Sequence, residues 1–256
     1  MIHPILANAA VYAIENATTE GKITVIVLLL LSLFSWTIII SKFRQLSIAR
    51  KATKKFMAAY SSTRDPLDIK KRGEDYDGAP AYSLYERGAE ELAYQLERNP
   101  VTVKGERRIS LSSYEAVKVV LEEAAAAQAM SLEKGMIVLS TAVAGGPFIG
   151  LLGTVWGVMS TFAGIAASNS ASLTAMAPGV AAALVATVTG LLVAIPAMFA
   201  YNFMVTTVRS ITQELDGFAS RFANQIEHTY VDNRDIEDKI AWALTRVEMG
   251  ENTPAI

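Results

Sequence analysis

The polarity of the chain changes in long blocks. Residues 23–41, "ITVIVLLLLSLFSWTIIIS", carry no charge and are bracketed by Lys22 and Lys42. At about 1.5 Å per residue, one helix of this length crosses about 30 Å of hydrocarbon. A cleaved signal peptide is the competing reading, but the run is long for one. Glu15 and Glu20 also make its upstream segment acidic, and no small-residue cleavage site follows Trp36. In the second block, no Asp, Glu, Lys, Arg or His lies between Lys134 and Arg209. That is too long for one crossing. A break is expected at 167–179, "ASNSASLTAMAPG", where polar residues cluster and Pro178 suits the first turn of a new helix. The pattern therefore predicts spans over 135–167 and 178–208 joined by a polar turn at 168–177, which with the first makes three.

The flanking segments read as helical. Ser112 is a candidate N-cap with Glu115 three residues on, and "YEAVKVVLEEAAAAQAMSLEKG" then has no Pro or Gly until Gly135, so this helix is expected to run straight into the second span. After the third span, Ile211, Leu215, Phe218, Phe222 and Ile226 form an apolar stripe, best read as packing within the chain. Residues 64–81, "RDPLDIKKRGEDYDGAPA", are the clearest loop. The expected fold is an all-α integral membrane protein of three transmembrane helices, the second and third extended as long helices beyond the bilayer.

Composition agrees: 52% hydrophobic and 19% charged residues, a formal net charge of −2 and a mean hydropathy of +0.30 suit a membrane protein with sizeable polar parts outside the bilayer. The near-neutral charge gives no reason to expect a nucleic-acid partner. There is no cysteine for thiol chemistry, and His3 and His228 cannot make a metal site by themselves. No cofactor or metal is expected. Lys42, Arg44, Arg50, Lys51, Lys54 and Lys55 follow the first span, against Lys22 alone before it, which puts 42–134 and 209–256 in the cytoplasm and 1–22 and the turn around Asn169 on the other side.

The interior of the long apolar block is unusual. At helical spacing, Pro147, Gly150, Thr154, Gly157 and Thr161 share one face, and Gly179, Ala183, Thr187, Gly190 and Ala194 share another. Small residues let helix backbones approach in lipid, and two such faces suggest helices packed around a shared axis. Pro147 and Pro196 should leave the carbonyls of Val143 and Leu192 without their usual donors; periodicity alone favours a packing kink over a gating hinge. The ordinary role of Thr154 and Thr187 in such helices is a hydrogen bond to their own preceding turn.

"GGPFIGLLGTVWGVM" from Gly145 and "APGVAAALVATVTGLLVAIPAMFAYN" from Ala177 to Asn202, with "SLEKG" before the second span, resemble the ExbB/TolQ branch of the MotA/TolQ/ExbB proton-channel family. The resemblance implies an inner-membrane homo-oligomer, pentameric in that family, whose second and third spans line a pore around the single-span helices of an ExbD/TolR-like partner dimer. It implies a periplasmic N-terminus and turn. In the family the partner supplies a proton-accepting aspartate, and the matching pore threonines here are Thr154 and Thr187. Work would pass to a TonB-like protein for outer-membrane transport or, as alternatives, to a TolA-like protein in TolQ-type envelope maintenance or through a stator using another cation. A structural membrane scaffold is the reading from a different class. No substrate is converted in any of these, so no enzyme is expected. One position departs from the pattern: "PGIAEAL" usually carries a glutamate where this chain has Ala182.

Overall fold

The computed structural model describes residues 17–103, 105–168 and 173–232. They form helices α1 (Thr19–Tyr60), α2 (Asp68–Arg72) and α3 (Pro80–Arg98), a hairpin of β1 (Val101–Val103) and β2 (Glu106–Arg108), then α4 (Leu111–Glu133), α5 (Met136–Ser168) and α6 (Leu173–Tyr230). Three of these helices are long and apolar enough to cross a membrane, namely α1, α5 and α6. The protein is an all-α membrane protein. Its contacts divide it into two compact units, the first from the described parts of Met1–Ile48 and Ala129–Ile211, the second from those of Ala49–Gln128 and Thr212–Ile256.

In the first unit the expected continuous helix through Gly135 is broken. α4 ends at Glu133, and Gly135 turns the chain with φ 87° before α5 begins. A left-handed residue just past a helix end is where glycine is favoured, and it terminates the hydrogen-bond ladder of α4. The orphaned Leu132 carbonyl accepts a hydrogen bond from the buried Lys42 Nζ of α1 at 3.0 Å, and the same ammonium donates to Gln45 Oε1 at 2.8 Å. A cation on the last carbonyls also complements the helix dipole. Leu28, Leu139, Met204 and Val208 are buried in this unit, whereas Leu33, Phe34, Phe148 and Phe199 are exposed, as lipid-facing side chains are.

The helix boundaries correct the sequence reading at two further points. α6 begins at Leu173, so Pro178 lies inside the helix and not in its first turn. Of the expected turn at 168–177, Ser168 belongs to α5 and 173–177 to α6. Residues 169–172 fall outside the described residues, as do most of the expected outer N-terminal segment (1–16) and the end of the tail (233–256).

The second unit is built on aromatic packing. The stripe on α6 turns inward: Leu215, Phe218, Phe222 and Ile226 are fully buried. Phe218 meets Phe56 and Tyr60 of α1 at centroid distances of 5.4 and 5.1 Å, and Phe222 meets Tyr85 of α3 at 5.1 Å. Intramolecular packing is thus the stripe's role. At Gly88 an added Cβ would lie 2.3 Å from Leu121 and 2.9 Å from Phe222, so glycine is what lets α3 settle there. The loop at 64–81 is more structured than expected, because it contains α2 and its Pro80 opens α3. Asp65 anchors it, accepting hydrogen bonds from the Leu67 amide (2.9 Å), Tyr230 OH (2.8 Å) and Lys71.

The hairpin was missed by the sequence reading although "VTVKGERR" carries its signals, three β-favouring residues and a glycine, Gly105, at φ 86°. Its register pairs Val101 with Arg108 and Val103 with Glu106, and Ile109 then exchanges backbone bonds with Tyr230 and Asp232. The cap of α4 was misassigned too: Ser110 Oγ, not Ser112, accepts the Ser113 amide, at 3.2 Å.

Two outcomes follow for stability. Phe218→Ala should cost about 3–5 kcal/mol in unfolding, the usual loss for a fully buried phenylalanine. Burial by itself would raise the Asp65 carboxyl, but the hydrogen bonds from Leu67, Lys71 and Tyr230 outweigh it and hold its pKa below the ordinary 3.8. The stabilisation is therefore complete above about pH 4 and lost as pH falls through the depressed value. Unfolding midpoints of Asp65→Asn should lie below wild type at pH 7 and converge with it toward pH 3.

Candidate functional site

α5 and α6 run antiparallel and touch through glycines. A Cβ added at Gly146 would lie 3.1 Å from the Gly190 carbonyl, one at Gly150 3.0 Å from the Ala186 carbonyl and one at Gly157 2.8 Å from Ala183 Cβ. In the other direction, a Cβ on Gly190 would lie 2.6 Å from the Gly146 carbonyl, and one on Gly179 would collide with Thr161 Oγ1 at 2.1 Å. At Gly153 a third helix joins, with Ala186 Cβ at 2.5 Å and Thr24 Cγ2 of α1 at 3.0 Å. Apolar bulk gives helices little reason to associate in lipid, so this contact relies on backbones close enough for dispersion and weak Cα–H···O bonds.

The two small-residue faces are thus largely used up within one chain. Gly150, Gly157, Ala183 and Gly190 are buried, and so is Thr161, whose hydroxyl donates to the Gly157 carbonyl at 2.8 Å. The close helix contact expected of these faces is made between α5 and α6 of the same chain. Sequence spacing found half of the seam; it left out Gly146 and Gly153, because a single fixed face of period three or four was traced where the contact drifts around the helix. Pro147 and Pro196 lie half-buried inside α5 and α6, which continue past them as helices.

Thr154 and Thr187 remain partly open. Thr154 Oγ1 donates to the Leu151 carbonyl at 2.6 Å, a bond to its own preceding turn. Thr187 reaches across the seam toward the Gly150 carbonyl at 3.5 Å, the long limit of a hydrogen bond, so it is only loosely held. Thr189 by contrast is satisfied by Val185 at 2.8 Å. Gly150 is level with Ala186 and Thr187, and Thr154 lies one turn further along α5. The two hydroxyls are therefore within about 6 Å of one another along the helix axes.

Neutral hydroxyls and carbonyls can hydrogen-bond water or a partner's polar group, but none of them takes or gives a proton near neutral pH. Ala182 is buried and can offer nothing either. From 135 to 208 the chain has no Asp, Glu, Lys, Arg or His, so α5 and the apolar part of α6 bring no fixed charge of their own to the seam. Among the described residues no three His, Cys, Asp or Glu side chains gather as metal ligands.

The sequence profile described as the MotA/TolQ/ExbB proton channel family matches residues 89–217, which contain α4, α5 and the seam. The chain belongs to this family. Among its relatives in the family, a biopolymer transport protein ExbB of Pseudomonas putida is 34% identical over 196 residues, which cover 76% of this chain and 56% of that protein. ExbB of Xanthomonas campestris pv. campestris is 32% identical, with 77% and 78% covered, and the Tol-Pal system protein TolQ of Haemophilus influenzae is 31% identical, with 81% and 89% covered. ExbB-named and TolQ-named members resemble the chain about equally, so these identities do not choose between the two.

The seam makes a direct prediction. Gly190→Ala should destabilise the protein by about 1–3 kcal/mol, because the new methyl meets backbone that cannot move aside. Gly145→Ala, where nothing lies within 4 Å, should be neutral or stabilising. Thermal unfolding of both variants in the same detergent checks the contrast.

Proposed function

We propose that this protein is the ring-forming subunit of a proton-driven motor in a bacterial inner membrane, working with a single-span, aspartate-bearing partner of the ExbD/TolR type. The observation that carries the reading is the pairing of two half-open hydroxyls, Thr154 and Thr187, at nearly one depth in a stretch, 135–208, without Asp, Glu, Lys, Arg or His. Such a site is suited to receive a titrating side chain and supplies none. Several copies would surround the partner's helix, five by the family resemblance, with α5 and α6 toward the pore. Residues 1–22 and the turn at 168–177 would face the periplasm, and 42–134 and 209–256 the cytoplasm.

In the mechanism, a proton driven by the membrane potential, worth about 2.3 kcal/mol per charge per 100 mV, reaches the partner's aspartate along the threonine-lined path. Its hydroxyls solvate the carboxylate while it is charged and release it once it is neutral. The preference of the partner for one subunit over the next then changes with each proton, and the ring moves against the partner. A TonB-like protein for outer-membrane transport receives the work in the first reading. The similarity to TolQ-named proteins supports a second, in which a TolA-like protein receives it.

Proton uptake by liposomes under an imposed potential tests this. Uptake should require the co-reconstituted partner and fall at least about tenfold in the Thr154→Ala, Thr187→Ala double variant. Uptake unchanged by the double variant, or carried equally by sodium in the absence of a pH gradient, would contradict the path.

A further inference from the structure

The second unit displays two helical faces of opposite charge that form no ion pair with one another among the described residues. On α1, Arg50, Lys51, Lys54 and Lys55 are all exposed on one side, opposite the buried Thr53, Phe56 and Tyr60. From Lys42 to Arg64 the sequence has no acidic residue. On α4, Glu115, Glu122 and Glu123 are exposed around Val119, which is itself 52% exposed. The ion pairs among the described residues join sequence neighbours only, such as Lys118 with Glu115; none involves the α1 cations, Glu122 or Glu123.

We infer that these faces dock on one another between copies of this chain, the basic face of α1 on one copy against the acidic face of α4 on the next. The inference rests on the ring proposed above and adds a surface outside its membrane core. A ring is closed by a heterologous contact, which needs two different, mutually complementary patches on every subunit. A basic face alone would equally suit anionic lipid, but lipid leaves the acidic face of α4 and its exposed valine unexplained. Distance argues the same way. Lys54 and Lys55 lie about 20 Å along α1 beyond the apolar run, past a headgroup layer of about 5–7 Å and a screening length of about 8 Å. Opposed charges at the rim fix which faces meet more than they add affinity, and the apolar Val119 gives the contact a dry centre.

The natural chain has no cysteine, which makes trapping straightforward. Two differently tagged full-length copies, one Lys54→Cys and one Glu122→Cys, are co-expressed and oxidised in native membranes. A covalent dimer carrying both tags should form at least about fivefold more than when Lys54→Cys is paired with a copy carrying its cysteine off the acidic face, at the exposed Glu97 of α3. Adding Glu115→Lys and Glu123→Lys to the second copy should abolish that excess, and exchanging the signs of both faces should restore it. An oligomer that persists by native mass while no dual-tag dimer forms would overturn the docking and leave the ring intact. A purely monomeric wild type would sink the ring itself. Protection of the Lys54→Cys thiol by vesicles of anionic but not zwitterionic lipid, without dimer, would assign the basic face to the membrane and also overturn the proposal.

Discussion

The contact between α5 and α6 at Gly146, Gly150, Gly157, Gly179 and Gly190 is the constraint on which the rest of the structure depends. Water drives apolar surfaces together in a soluble core, but lipid offers no such gain, and two helices stay paired only where their backbones can come close. That requirement determines what every other position may be. Side chains larger than alanine are turned away from most of the seam, toward lipid or other helices, as Phe148, Leu184 and Leu192 are. Hydroxyls are admitted only where a carbonyl of the same or the facing helix accepts them, as at Thr161 and Thr187.

Much of this was legible in the sequence. The three spans and the absence of charge between Lys134 and Arg209 are a matter of counting, because hydrocarbon thickness sets helix length. The α6 stripe was read correctly as internal packing because its period of three and four leaves only one face to bury. What was not legible depended on contacts distant in sequence. Nothing local shows that Gly135 would break a good helix, since the break is stabilised by Lys42, ninety residues from its acceptor Leu132. Spacing shows that these faces suit close helix contact but cannot tell a face that meets its own chain from one that meets another. The motif resemblance, not the spacing, singled out Thr154 and Thr187, and their partial exposure is what the structure adds.

Ala182 gives the charge-free spans their sharpest consequence. It is buried in the first unit, and no carboxylate lies between Glu133 and Glu214 in the sequence to take the place of the glutamate of the related pattern. In the proposed reading the proton chemistry falls to the partner, and this chain supplies orientation and solvation. Removing a buried ionisable group also relieves the bilayer-embedded part of a large desolvation cost.

The most direct test of the central claim is the aqueous accessibility of the two threonine positions. In this cysteine-free chain, Thr154→Cys and Thr187→Cys are exposed to a small charged thiol reagent, with and without the partner. The account predicts that both are modified in the ring alone and that both are protected together when the partner's helix is present. Modification of either one unaffected by the partner, or no reaction of both in any state, would contradict a shared path at the depth of the glycine seam.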